Sequence, residues 1–331
     1  MSEMSFFILE TIIKAVVILA VIASLSGLGT YAERKVLAYM QRRIGPDMVG
    51  IFGLGQILCD MIKLFTKEDA IPRGANRVMF WAAPLIAVTG AFTALSAVPF
   101  LPEFEIFGRK VEPILSDVGV GLLFLMSVSS TSVYGTLIGG LAGYNKWGLI
   151  ASMRAVLQLL SFEIINGLSI IPIVMITSSL SITKIVAEQD GGIGDWFLWS
   201  QPVAFFLFWI ASFIECNRTP TCLTENETEL VAGATTAYCG MRFGLFFIAE
   251  YANMITYSIV LALLFCGGYN KTWIIPGGAM IFIKASFFFF CFLWTRAAWP
   301  HLRPDQLIGL CWKVLMPIAL INIIITALVL L

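Results

Sequence analysis

Apolar residues along the 331-residue chain come in eight long runs, at about 7–32, 78–100, 118–142, 155–180, 196–214, 243–267, 273–295 and 307–331. A bilayer core about 30 Å thick takes roughly 20 residues of helix. A segment crossing lipid must also satisfy its own backbone hydrogen bonds, which a helix does. The pattern therefore predicts eight transmembrane helices. The second and third runs carry no formal charge. The gaps leave no room for a soluble domain, so the expected fold is an all-α integral membrane protein, one polytopic domain over 1–331. Within the first gap, LGQILCDMIKLF (54–65) has a different period. Leu54, Ile57, Leu58, Met61, Ile62 and Phe65 fall on one helical face, and Gln56, Asp60, Lys63 and Lys67 on the other. This is an amphipathic helix, too polar to span, expected at the membrane surface or packed on neighbouring spans.

Composition sharpens the class. Charged residues make up 13% of the chain against 59% hydrophobic, and the mean hydropathy is +0.88. Soluble domains carry about 25% charged residues. The start, MSEMSFFILE, has acids ahead of the apolar run and no small-residue cleavage site, so no removed signal peptide is expected. The seven cysteines show no C-x-x-C spacing and lie mostly in apolar runs, where they read as small buried hydrophobes. His301 is the single histidine, too few for paired haem ligands. No redox cofactor is expected on this chain: no FMN, iron–sulfur cluster, haem or metal.

Lys and Arg set the expected orientation. Loops after odd-numbered runs hold fourteen of them, and loops after even-numbered runs four. By the positive-inside rule the long loops face the cytoplasm and both termini face outward.

Candidate chemistry lies where charge is costly. Glu163 and Glu250 sit inside the fourth and sixth runs, both roughly 12 Å in at 1.5 Å per residue. Buried acids at matched depth suggest a shared polar interior, with hydrogen-bonded helix anchors as the bland alternative. Lys284 and Lys313, in the seventh and eighth runs, are possible partners. The loop ECNRTPTCLTENETELVAG (215–233) gathers Glu215, Glu225, Glu227 and Glu229 around Arg218. Thr224 and Glu227 fit a capping box, which leaves Glu215, Glu225 and Glu229 unexplained. Crowded carboxylates near apolar surroundings couple and hold protons, so the loop reads as a proton-holding station at the mouth of a polar path.

The segments TYAERKVLAYMQRRIGP (30–46), KLFTKED (63–69), LSFE (160–163), NRTP with ETELVAG (217–233), GMRFGLFFIAEYANM (240–254) and RPDQLIGLCWKVLMP (303–317) together resemble one family. It is that of the membrane-embedded H subunit (subunit 1 in mitochondria) of respiratory complex I, the proton-pumping NADH:quinone oxidoreductase. The similarity runs in order from about residue 10 to the C-terminus. It implies a subunit of a multi-pass bacterial or organellar inner-membrane complex, without oxidoreductase activity on its own. Such a subunit forms a quinone chamber with peripheral-arm subunits and adjoins small membrane subunits beside the pumps. Quinone is then a bound substrate, lipid surrounds the chain, and nucleic acid has no role. Carried over residue by residue, Glu33, Arg34 and Arg42 lie near the chamber, and Glu215, Arg218, Glu225, Glu227 and Glu229 match the coupling loop. Glu163 and Glu250 match the buried proton path. The helix at 54–65 matches one beside the quinone entrance, and Arg34, Arg42 and Arg218 are expected to hold the acids ionised.

The chain departs from the family pattern at Thr221, Cys222 and Thr224, where Phe, Asp and Pro are common, and at Ala237, where an acid is usual. LAGYNKW (141–147) is also atypical. A related membrane subunit of an energy-converting hydrogenase, or of a complex fed by another donor, shares these features. A stand-alone transporter would also fit eight spans with buried acids, although no internal repeat is visible.

Overall fold

A computed structural model describes residues 3–99, 104–106, 109–111, 119–222, 230–270 and 277–331. The chain folds as helices α1 (Glu3–Met40), α2 (Gln56–Thr66), α3 (Arg77–Ser96), α4 (Gly121–Ala142), α5 (Lys146–Thr177), α6 (Ile182–Ala187), α7 (Phe197–Ser200), α8 (Pro202–Glu215), α9 (Gly240–Phe265), α10 (Gly277–Ala298), α11 (Pro304–Leu310) and α12 (Met316–Leu330). A π-helical turn, Cys311–Leu315, joins the last two. Between α3 and α4, Phe104–Ile106 and Arg109–Val111 pair antiparallel, with Glu105 opposite Lys110. The apolar pattern gives no sign of this hairpin.

Among the described residues seven helices are long and apolar enough to cross a membrane, rather than the eight expected. The run at 196–214 is the exception. It breaks at Gln201, which leaves helical geometry (φ −132°, ψ 57°) ahead of Pro202, so α8 has 14 residues. A proline fits the first turn of a helix, where no backbone N–H is required. The Gln201 amide donates to Thr326 Oγ1 (3.1 Å) and its carbonyl accepts from Asn322 (3.3 Å), tying the break to α12.

Two boundaries also differ from the pattern, because helices continue past their apolar runs. The first run ends near 32, yet α1 carries Glu33, Arg34 and Lys35 on its last turns and stops where Arg42 turns left-handed (φ 54°). The fourth run begins near 155, yet α5 starts at Lys146, capped by Asn145 accepting from Trp147 N (3.3 Å). The amphipathic segment does form a helix, α2. It turns Ile57 and Leu64 inward and leaves Leu58, Met61, Ile62 and Phe65 exposed.

Helix α9 is the axle of the bundle: 78% of its most apolar stretch is buried, against 17% for α1 and for α11–α12. It packs on α1, α3 and α10, while α5 packs on α4, α8 and α12. Lipid gives little hydrophobic drive for helices to associate, so close backbone approach matters. Gly135 of α4 supplies it, since a Cβ there would meet Ala87 Cβ of α3 at 2.6 Å. Cys216, Cys266, Cys291 and Cys311 are buried as expected, but Cys59 is exposed.

Candidate functional site: a buried acid–arginine cluster

Helix α8 ends at Glu215, and the chain turns sharply through Asn217 (φ 50°), with Arg218 N donating to Phe213 O (3.2 Å). Thr221 Oγ1 donates to Arg218 O (2.8 Å) and to Phe213 O (3.3 Å), fixing the turn. This drives Arg218 back into the bundle, where it is 3% exposed. Its Nη1 donates to Glu33 Oε2 of α1 (2.9 Å), and its Nε lies 2.8 Å from Glu250 Oε1 of α9. The Glu250 contact is a close ion pair without the alignment of a hydrogen bond, so it acts through charge. Tyr251 donates its hydroxyl to the same Glu33 oxygen (2.7 Å) and places its ring 4.6 Å from the guanidinium centre. Arg296, on the last turn of α10, donates to the other Glu33 oxygen.

Burial disfavours the charged guanidinium of Arg218. The Glu250 and Glu33 carboxylates outweigh that penalty and hold the group still more firmly protonated than usual. Sharing one carboxylate between two arginines and a tyrosine is what allows Glu33, itself 4% exposed, to stay buried.

Glu215 lies beside this cluster and is itself buried, with no hydrogen bond reaching it among the described residues. It lines two small cavities. One, of about 40 Å³, is shared with Glu250, Asn253, Ser132 and Thr136; the other, of about 10 Å³, with Gln158 and Asn217. A water needs about 10–15 Å³ and two or more polar partners, so the larger cavity has room for a few. Unpaired acceptors face that need: Asn253 Oδ1 and Gln158 Oε1 are buried without a hydrogen bond among the described residues. The amide of Gln158 donates to Ile214 O (2.7 Å) and that of Asn253 to Ser132 Oγ (2.7 Å). Glu163, half-buried on α5, is close enough to act electrostatically on Glu215.

The sequence-predicted residues divide accordingly. Glu33, Arg218 and Glu250 meet in one ionic cluster, with Glu215 and Glu163 alongside. Glu225, Glu227 and Glu229 lie outside the described residues. Arg34 pairs with Asp60 of α2 (2.5 Å) rather than with an acid of the cluster, and is half-exposed. Arg42 is exposed just past the end of α1, away from the cluster. The second cation of the cluster is Arg296. Nor do Lys284 and Lys313 partner the acids. Lys284 donates to Cys266 O (2.5 Å) and Gly268 O (3.1 Å), while Lys313 is exposed on the π-turn.

Sequence reasoning missed Tyr251, Arg296, Gln158, Ser132 and Asn253 as site residues. Gln158, Ser132 and Asn253 could have been found as polar residues inside apolar runs, and Tyr251 as the neighbour of an acid there. Arg296 carried no such signal, because it sits among ordinary loop cations.

An apolar cavity of about 200 Å³ adjoins the cluster, lined by Leu25, Leu28 and Ala32 of α1, Ile259 of α9, and Phe282 and Phe289 of α10. Ala32 is the chain neighbour of Glu33. Gly29 lets α1 approach here: a Cβ would meet the Tyr251 ring at 3.1 Å and the Phe289 ring at 3.2 Å. Gly29 and Ala32 thus stand between the apolar space and the Tyr251 and Glu33 side chains of the cluster, neither of which lines it.

Residues 13–327 match the family described as NADH dehydrogenase. Three similar relatives are each named as the H subunit of NADH-quinone oxidoreductase. That of Campylobacter hominis is 71% identical over 329 residues, covering 99% of both chains. That of Campylobacter curvus is 62% identical over 330 residues, covering 100% of both. That of Wolinella succinogenes is 56% identical over 324 residues, covering 98% of both. On this similarity and the helical membrane architecture, the chain belongs to the NADH dehydrogenase family, in the branch formed by the H subunits of NADH-quinone oxidoreductases.

Proposed function

We propose that this chain is the subunit of a proton-translocating NADH:quinone oxidoreductase that receives the quinone and passes the charge change of its reduction to proton carriers in the membrane. The juxtaposition of the apolar cavity at Ala32 with the ionic cluster at Glu33 carries the reading. An isoprenoid tail suits the apolar walls, and a polar headgroup suits the end where Glu33, Tyr251 and the arginines meet. Electrons come from a neighbouring subunit. Reduction of quinone to quinol consumes two electrons and two protons, so local charge changes by about one or two units unless protons follow, and opposite charges close by shift carboxylate affinities by about 1–3 pKa units. Glu215, with room for water beside it, takes up that change. Glu163 and Glu250 relay it toward partner subunits, with Glu225, Glu227 and Glu229 feeding it from the loop.

In this reading α2 lies at the membrane surface through Leu58, Met61, Ile62 and Phe65, which are exposed. The loops on that side face the cytoplasm, both termini face outward, and peripheral-arm subunits close the chamber. A hydrogenase-type or other donor would use the same cluster, and nothing in the geometry favours it.

The test is to fill the cavity. Ser286, which also lines it, is exposed on α10 and tolerates a larger side chain. In the purified complex, Ser286→Trp should raise KM for a long-tailed quinone several-fold and leave a short-tailed analogue unaffected. Equal KM for both quinones in an assembled complex would sink the assignment of this cavity to the tail.

A further inference from the structure

The polar interior along α9 stops short of its far end. From the Glu215–Glu250 cavity the polar groups continue to Asn253 and Ser132, then to Tyr257 and Ser129, whose hydroxyls share a hydrogen bond of 3.0 Å. Beyond Tyr257, α9 presents Val260, Leu261, Leu264 and Phe265, each at most 1% exposed. Phe208 of α8 closes against both sides of this step, its ring 6.2 Å from Tyr257 and 5.9 Å from Phe265. Past the apolar layer sits Lys284, 7% exposed, its ammonium on the carbonyls of Cys266 and Gly268 at the end of α9 and 4.5 Å from the Trp196 ring. Among the described residues no carboxylate faces it.

We infer that Phe208, Leu261, Phe265 and Lys284 form a proton seal, closing toward the far membrane face the polar path that begins at Glu215. Two physical barriers act in series. The apolar layer offers no hydrogen-bond partner to a hydronium ion or a water file. The fixed ammonium then repels a proton where the low dielectric strengthens its field, the same principle by which fixed positive charges exclude protons from pores. Protons held at the acids therefore have no outlet through this chain's far end, and leave sideways to a neighbour or back the way they came. The inference rests on the proposed role of Glu215, but its test does not need turnover.

The complex would be reconstituted in vesicles containing a pH-sensitive dye, without NADH or quinone. A pH step would be applied with the membrane potential clamped by valinomycin and potassium. Lys284→Met and Leu261→Ser should each raise the passive proton leak, by about tenfold if the barrier falls by about 1.4 kcal/mol, while Lys284→Arg keeps the wild-type leak. Unchanged leak in assembled Leu261→Ser complexes overturns the seal, and that variant decides alone should Lys284→Met not assemble. Adding Glu215→Gln to Leu261→Ser separates the two ideas. A leak that falls supports both. A leak that persists supports the seal and removes Glu215 from the path.

Discussion

Two levels of α9, its middle and its C-terminal end, each bury a cation, and they do so in opposite ways. At mid-helix Arg218 is surrounded by acids. Glu33 and Glu250 contact it, Glu215 and Glu163 lie alongside, and cavities and unpaired acceptors leave room for change. At the C-terminal end Lys284 rests on backbone carbonyls, next to Gln189, which uses both ends of its amide. That side chain donates to Ile185, Leu263 and Leu264 carbonyls (3.2 Å each) and accepts from Phe197 N (3.3 Å) and Gly267 N (2.9 Å). A saturated network without acids specifies one arrangement; a charged network with spare acceptors and space can change its protonation. The first is a fixture, the second a device.

The largest effect that would break this contrast comes from Arg218. Arg218→Met takes away the cation that Glu33 and Glu250 share, a loss of about 3–5 kcal/mol, and the subunit should vanish from the assembled complex on native gels. Glu33→Gln added to Arg218→Met should restore part of the assembly, because one of the two carboxylates around the lost cation is then neutral. If the double variant assembles no better than the single, charge balance is not what holds the cluster.

At the C-terminal end of α9, Gln189→Leu strips backbone groups of their partners at about 1–3 kcal/mol each. Thermal unfolding of the complex should drop by several degrees while the protons moved per electron stay constant. A changed stoichiometry would erase the distinction between the two levels.

A smaller effect is expected at Arg242, which pairs with Asp69 (2.8 Å) but also stacks 3.8 Å over Trp81. Asp69 is partly exposed, so Asp69→Asn should cost only about 1 kcal/mol and leave quinone reductase activity near wild type. Of similar size, Ser132→Ala removes the Asn253 hydrogen bond, worth about 1 kcal/mol, and should slow proton uptake slightly without touching assembly.

How much of this was legible depended on the kind of signal. Long apolar runs located the spans, because lipid imposes a length and a composition. They misplaced the ends of α1 and α5, since a helix obeys caps and backbone geometry after its apolar stretch is finished. The break at Gln201 was hidden because Pro202 sits in an apolar run whose hydropathy it barely alters. Acids inside apolar runs, Glu163 and Glu250, stood out by their cost, and Glu33 by its motif. Which cation meets which acid was not legible. Arg34 and Arg296 are both helix-end arginines, and only the packing of α1 against α9 and α10 turns one outward and the other onto Glu33. Lys284 misled for the same reason, since carbonyls at a helix end hold a lysine as an acid would and leave no mark in the sequence.

The central claim is that Glu215 converts quinone chemistry into proton uptake. The direct test compares wild type with Glu215→Gln in proteoliposomes carrying the whole complex, following quinone reduction and proton uptake together. The account predicts that proton uptake per electron collapses in an assembled complex, with reductase activity falling alongside it. Normal rates of both in the variant would contradict it and leave Glu215 a buried structural carboxylate.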